Sequence, residues 1–169
     1  GISLRNISNG VTAVANQGDV TVEGASGPMN LSTTTGNIFV FDAGPSEFGD
    51  VFKANTNSGL IALQQLKYRQ TNVVSITGSV SFTGEILSGG SYSLRTSKGS
   101  IRMSLPALSS FQLYATYGAG TFDSEVPVKI ATENISEGPV KTIVGKAGSG
   151  DAVLKLTTNN GSIAIKKQL

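Results

Sequence analysis

The sequence predicts an all-β chain: a parallel β-solenoid (β-helix) of about seven to eight coils, with a β-sandwich as the alternative. Three observations predict it. The 169 residues hold 21 Gly and only 14% charged residues amid abundant Thr, Ser, Asn and Val, which suits strands and turns rather than long helices. Apolar and polar residues alternate with period two on both sides of recurring glycines. The units also resemble one another: "LRTSKGSIRMS" at 94–104 returns as "LTTNNGSIAIK" at 156–166.

The glycines set the frame. With Gly18, Gly36, Gly59, Gly78, Gly99, Gly118 and Gly161 as corners, the gaps are 18, 23, 19, 21, 19 and 43 residues, the last close to two periods. Two residues past the corners stand Val20, Ile38, Ile61, Val80, Ile101, Gly120 and Ile163; five before stand Ala13, Leu31, Ala54, Val73, Leu94, Leu113 and Leu156. Three before, every residue is small: Ala15, Thr33, Thr56, Ser75, Thr96, Ala115 and Thr158. The interleaved positions are polar, as at Asn30, Lys53, Asn72, Ser93, Gln112 and Lys155. Each unit therefore reads as strand, glycine corner, strand, with one face buried. A small residue is expected beside the corner because the bend leaves no room for Leu or Phe. Hairpins do not require matching inward columns from unit to unit, whereas stacked coils do.

Two stretches interrupt the repeat. "FDAGPSEFGD", 41–50, lengthens one coil as a protruding loop. "VPVKIATENISEGPVKTIVGKAGSG", 126–150, spans the double gap as a Pro-punctuated irregular coil. Neither reads as an interdomain linker, so 1–169 is expected to be a single β-solenoid domain.

The second half resembles a known family. "YSLRTSKGSIRMSLPALSSFQLYATYGAGTFDSEVPV", 92–128, and "GKAGSGDAVLKLTTNNGSIAIKK", 145–167, carry a Gly-Ser-Ile strand running into Leu-Pro and a Phe-x-Leu-x-Ala-Thr strand. A Gly-x-x-x-Ser segment and a final Gly-rich turn into Thr-x-x-Gly-x-Ile follow. These stretches are similar to a family of bacterial envelope proteins described as adhesins, a domain of unknown function. The coils over 11–90 share only its rhythm. The resemblance implies an exported β-solenoid in the periplasm or at the cell surface, with a structural or adhesive role. Gly1 reads as a trimmed start, so a signal or anchor segment is expected to have been removed.

Chemistry is sparse. The chain has no His and no Cys, which leaves no material for an imidazole-based triad or for the usual zinc sites. No cofactor or metal is expected, and no catalytic residue is assigned. The runner-up reading is a carbohydrate-active β-helix, whose acids would be Glu23 and Asp42 on adjacent coils, with Glu47 and Asp50 as a second close pair. "VGKAGSGD", 144–151, lacks both the spacing and the following helix of a phosphate loop and reads as a turn. A third reading is a self-assembling scaffold that stacks end to end.

Binding residues are sought on the outside. Arg95 and Tyr114 stand four before their corners and are expected to be neighbours on adjacent coils. Phe39, Phe41 and Phe48 would extend that patch if the long loop folds over it. The expected partners are envelope or host glycans, or surface proteins. A net charge of +2, spread evenly along the chain, gives no nucleic-acid signature, and no apolar run is long enough for a transmembrane helix.

Overall fold

The computed structural model describes residues 1–47, 49–106, 109–126, 128–135 and 141–167, with the backbone alone over 131–135. Every regular element among them is a strand. The first are β1 (Ile2–Arg5), β2 (Val11–Gln17), β3 (Val20–Ser26), β4 (Met29–Thr35), β5 (Ile38–Gly44) and β6 (Val51–Ser58). Next come β7 (Ile61–Leu66), β8 (Gln70–Thr77), β9 (Val80–Gly84), β10 (Ser91–Lys98), β11 (Ile101–Leu105) and β12 (Phe111–Ala119). The last are β13 (Phe122–Ser124), β14 (Lys129–Ile135), β15 (Lys141–Ala147), β16 (Val153–Asn160) and β17 (Ile163–Lys167).

These strands form two sheets. One has eight strands in the order β1-β3-β5-β7-β9-β11-β17-β13; the other has nine, β14-β15-β12-β16-β10-β8-β6-β4-β2. Pairing is parallel except where β15 meets β12 and β14. From β1 to β13 successive strands alternate between the sheets, one of the two connections in most coils being a glycine corner, an arrangement consistent with a β-solenoid. The inward residues of both sheets join one continuous core. Ile38, Ile61, Val80, Ile101 and Ile163 follow one another at register partners and are all buried.

The corners explain the glycines. A Cβ on Gly59 would lie 1.8 Å from the carbonyl oxygen of Gly36, and one on Gly99 would lie 2.1 Å from that of Gly78. Their φ values, 156° and 157°, are themselves unfavourable to side chains. The small column beside them is buried, and it does more than leave space. Its hydroxyls donate to the corner carbonyl of the neighbouring coil: Thr33 to Gly18, Thr56 to Gly36, Ser75 to Gly59, Thr96 to Gly78 and Thr158 to Gly99, at 2.7–3.1 Å. One side chain thus satisfies the carbonyl that the bend takes out of the sheet ladder.

Two expectations about order are corrected. The sixth corner is Gly120, not Gly118: its φ is 149°, and a Cβ there would lie 2.1 Å from the Gly161 carbonyl oxygen. Tyr117 therefore takes the place of the small residue. Room exists because the next strand beyond β12 is the antiparallel β15 rather than another parallel coil. Moreover, the C-terminal coil does not follow the sixth in space. β16 lies between β10 and β12, and β17 between β11 and β13. The two segments that look most alike, 94–104 and 156–166, are thus direct neighbours, with Ile101 opposite Ile163. In 126–150, β14 and β15 form an antiparallel pair at the end of the stack; residues 127 and 136–140 lie outside the described residues.

A second column was not anticipated. Asn6, Gly24, Asp42 and Gln65 all have φ between 53° and 64° and stand at equivalent places in β1, β3, β5 and β7 or just beyond. The left-handed residue shifts the alternation by one, so that Ala25, Ala43 and Leu66 turn inward behind Val22, Val40 and Leu63.

Candidate functional site

With the inward rows filled, whatever distinguishes one coil from another lies on the outer faces. β2, β4, β6, β8, β10, β16, β12 and β15 contain no Asp or Glu. They carry Lys53, Arg95, Lys98, Lys141, Lys146 and Lys155. The chain's 11 acids stand elsewhere: Glu23, Asp42 and Asp123 on the eight-stranded sheet, Glu133 on β14, and the rest in connections or beyond the described residues. The fold thus keeps acids off these eight strands, whereas the eight-stranded sheet carries both signs, with Arg5, Arg102, Lys166 and Lys167 beside its acids.

Lys53, Arg95, Lys146 and Lys155 are exposed on the outer face of the nine-stranded sheet. The ion pairs among the described residues lie on the other sheet and beside its end: Arg5 Nε to Glu23 Oε2 at 3.1 Å and Lys166 Nζ to Glu125 Oε1 at 3.4 Å. Glu125 also accepts a bond from the Lys167 amide, and that bond, with the Lys166 charge, holds its carboxyl below the usual range. Lys141 turns back over the Tyr117 ring, 5.8 Å from its centroid.

Around Lys53 the face is recessed. A hollow of about 390 Å³ on one side is lined by Thr12, Asn30 and Val51 among others, and a second of about 240 Å³ on the other by Gln70, Asn72, Ser91 and Ser93. Lys53 and Val51 border both. Neither is an enclosed cleft that would desolvate a reacting group, and the rows between the cations are amides and hydroxyls.

The expected site residues are not brought together. Arg95 pairs with Thr157 and Val74, whereas Tyr114 pairs with Lys155 and Val144; β16 separates the two, so they are not lateral neighbours. Both remain on the same outer face, and Tyr114 is 39% exposed. Phe41 belongs to β5 rather than to the expected 41–50 loop, and with Phe39 it sits half-buried on the outer face of the opposite sheet, between Thr21 and Glu23 of β3 and Ala62 and Gln64 of β7. They cannot extend a patch around Arg95. Phe48 lies outside the described residues.

The paired acids have local roles. Glu23 is held by Arg5, and Asp42 occupies the left-handed column, where a short polar side chain is tolerated. Asp50 Oδ2 accepts the amides of Ser46 and Glu47 at 2.9 and 3.0 Å, closing the 45–50 turn. Among the described residues, no group of three or more potential metal ligands gathers, and no helix is long and apolar enough to cross a membrane.

No curated protein and no solved structure matches the chain. The family model described as Toastrack DUF4097 does match, over residues 2–166. It represents an uncharacterised domain family, and a toastrack is a β-solenoid-like repeat. Because that span takes in both sheets and every glycine corner described above, the chain belongs to the Toastrack DUF4097 family.

Proposed function

We propose that this chain is a non-enzymatic parallel β-solenoid of the cell envelope, outside the cytoplasm, which acts by presenting its outer faces for binding. The observation that carries this reading is the division of labour between faces. Inward rows repeat the same residue types from coil to coil, while the outer rows vary, and on the nine-stranded sheet they present Lys53, Arg95, Lys146 and Lys155 with no carboxylate partner among the described residues. Rigid frameworks of this kind hold recognition residues at fixed spacing without an enclosed pocket. The envelope placement rests on the resemblance of 92–128 and 145–167 to bacterial envelope proteins. Adhesion to another surface would be one use of such a face, and the family's description does not itself name that activity.

The test has two arms. The purified chain is expected to attach to isolated envelope fragments and to leave pectin, glucan, chitin and peptidoglycan unchanged. Reproducible turnover that vanishes in a Glu23→Gln, Asp42→Asn double variant would install the carbohydrate-active alternative instead.

One observation favours a scaffold as second reading. β2 is the margin of the nine-stranded sheet, and its seven residues, VTAVANQ, contain neither charge nor Pro to discourage pairing. Concentration-dependent assembly in sedimentation, abolished by Val14→Lys, would support that use.

A further inference from the structure

The acid-free strands of one sheet point to a partner class. We propose that the outer face of the nine-stranded sheet binds a linear acidic polysaccharide laid along the stack, across the strands. This rests on the binding role proposed above and names its ligand chemistry.

Lys53, Arg95, Lys155 and Lys146 stand on β6, β10, β16 and β15, which are separated by two, one and two strand steps. At about 4.8 Å per step they cover about 24 Å across the strands in a staggered row: Lys53 and Lys155 share one register line through Asn72 and Ser93, while Arg95 stands two residues along the strands on one side of it and Lys146 two on the other. None has a carboxylate partner among the described residues, and the strands that carry them hold no acid. Such a row complements a negative polymer. Its density decides which kind: a nucleic-acid duplex carries one charge per about 1.7 Å, far denser than this row. The spaces between the cations carry Asn72, Ser93 and Thr157, groups suited to sugar hydroxyls rather than to further phosphates.

Shape agrees with charge. The hollows on either side of Lys53 would each seat part of a chain crossing the strands, with Lys53 between them. A flat lipid surface would leave both empty. Farther along, Tyr114 stands opposite Lys155 across the β12–β16 pair and is exposed, with its hydroxyl 3.5 Å from Gln112 Oε1. An aromatic ring beside a cation offers a sugar an apolar face to stack on and a charge for its carboxylate.

The test uses polygalacturonate as the acidic probe, with dextran, a single-stranded oligonucleotide and phosphatidylglycerol vesicles as comparisons. The parent protein is expected to bind polygalacturonate, to ignore dextran and to lose affinity as salt rises. A Lys53→Gln, Arg95→Gln, Lys155→Gln triple variant is expected to weaken binding by about tenfold or more, since each removed cation lowers the electrostatic attraction. An Arg102→Gln, Lys67→Gln double variant, which alters the other side, is expected to change it by less than about twofold. Lys53→Arg and Lys155→Arg are expected to retain binding, and unchanged melting of every variant establishes that folding is intact. Equal losses in both charge-removed variants, or tighter binding to the oligonucleotide or the vesicles than to polygalacturonate, would overturn the proposal. Envelope fragments separate this inference from the reading beneath it. If the parent and the triple variant attach equally, the polysaccharide face is wrong while the binding role stands. If the parent does not attach at all, the binding role itself fails.

Discussion

Replacing Thr96 with Val tests the hydroxyl column most directly. Thr96 is buried, and its Oγ1 donates to the Gly78 carbonyl at 2.7 Å. Val keeps the β-branched shape, so neither a cavity nor a clash is created. What is lost is a hydrogen bond to a carbonyl at a corner packed under the next glycine, a change that costs about 1–3 kcal/mol when the remaining partner stays buried. Thr96→Ser keeps the hydroxyl and removes one methyl, for about 0.8 kcal/mol. Thr96→Leu loses the bond and also overfills the corner, adding about 1–3 kcal/mol of strain. The expected order of stability is parent, Ser, Val, Leu, with Thr158 following the same order because it makes the same bond to Gly99. Urea denaturation at constant m-value measures it. A Val variant as stable as the parent, or more stable than the Ser variant, would show that the column is small for space alone and that its hydroxyl contributes nothing.

Other consequences are measured in similar ways. Ile101 is fully buried between Val80 and Ile163, so Ile101→Asp is expected to cost at least ~3 kcal/mol, and a loss below about 1 kcal/mol would place that residue on the surface. The hydroxyl of Thr71, in the inward row between Phe52 and Tyr92, has no hydrogen-bond partner among the described residues. Thr71→Val should therefore raise stability by about 1 kcal/mol, read from the denaturation midpoint. Burial pushes the phenols of Tyr68 and Tyr92 up, while their hydroxyls donate to the carbonyls of Gly27 and Tyr68. A raised folded-state pKa contributes stability that is present below the unfolded value, about 10, and is lost as pH rises above it. Tyrosinate absorbance from these two residues is expected to appear only together with loss of β-sheet circular dichroism; ionisation in the folded protein would contradict their burial.

Much of the fold was legible because stacking repeats side-chain types. The column two past each glycine, the small column before it and the polar rows between them are where the sequence puts them. The slip at the sixth corner was invisible for a physical reason. Gly118 and Gly120 are two residues apart, so either choice preserves the in–out alternation and leaves Leu113 and Ala115 inward. The positive φ of Gly120 and its approach to the Gly161 carbonyl distinguish them. The left-handed column leaves no mark in the sequence because Asn6, Gly24, Asp42 and Gln65 share a backbone angle rather than a residue type. Of the candidate binding residues, Arg95 and Tyr114 were rightly placed on an outer face. Phe41 was read as loop because 41–50, with its Gly and Pro, lengthens one coil, whereas β5 runs on through the left-handed Asp42 to Gly44.

The insertion of the C-terminal coil joins the topology to the proposed site. Every coil of such a stack presents the same inward rows to both neighbours, so the core alone does not dictate which coil lies beside which. Neighbour choice must come from finer complementarity. Ser100 accepts the Ser162 amide and Ser162 accepts the Thr121 amide, a chain of corner contacts that runs through the inserted coil. Antiparallel β15, which pairs with β12 on its far side, then closes that end against further parallel coils. The consequence reaches the surface. Had the coils stacked in sequence order, β10 would adjoin β12 and the Lys155 row would lie elsewhere. With β16 between them, Lys155 stands one strand from Arg95, directly opposite Tyr114 and in the same register row as Lys53, with Arg95 and Lys146 set two residues along the strands to either side of that row. The cationic path is thus assembled from segments more than a hundred residues apart, and it exists only because the last coil to be written in the sequence sits inside the stack rather than at its end.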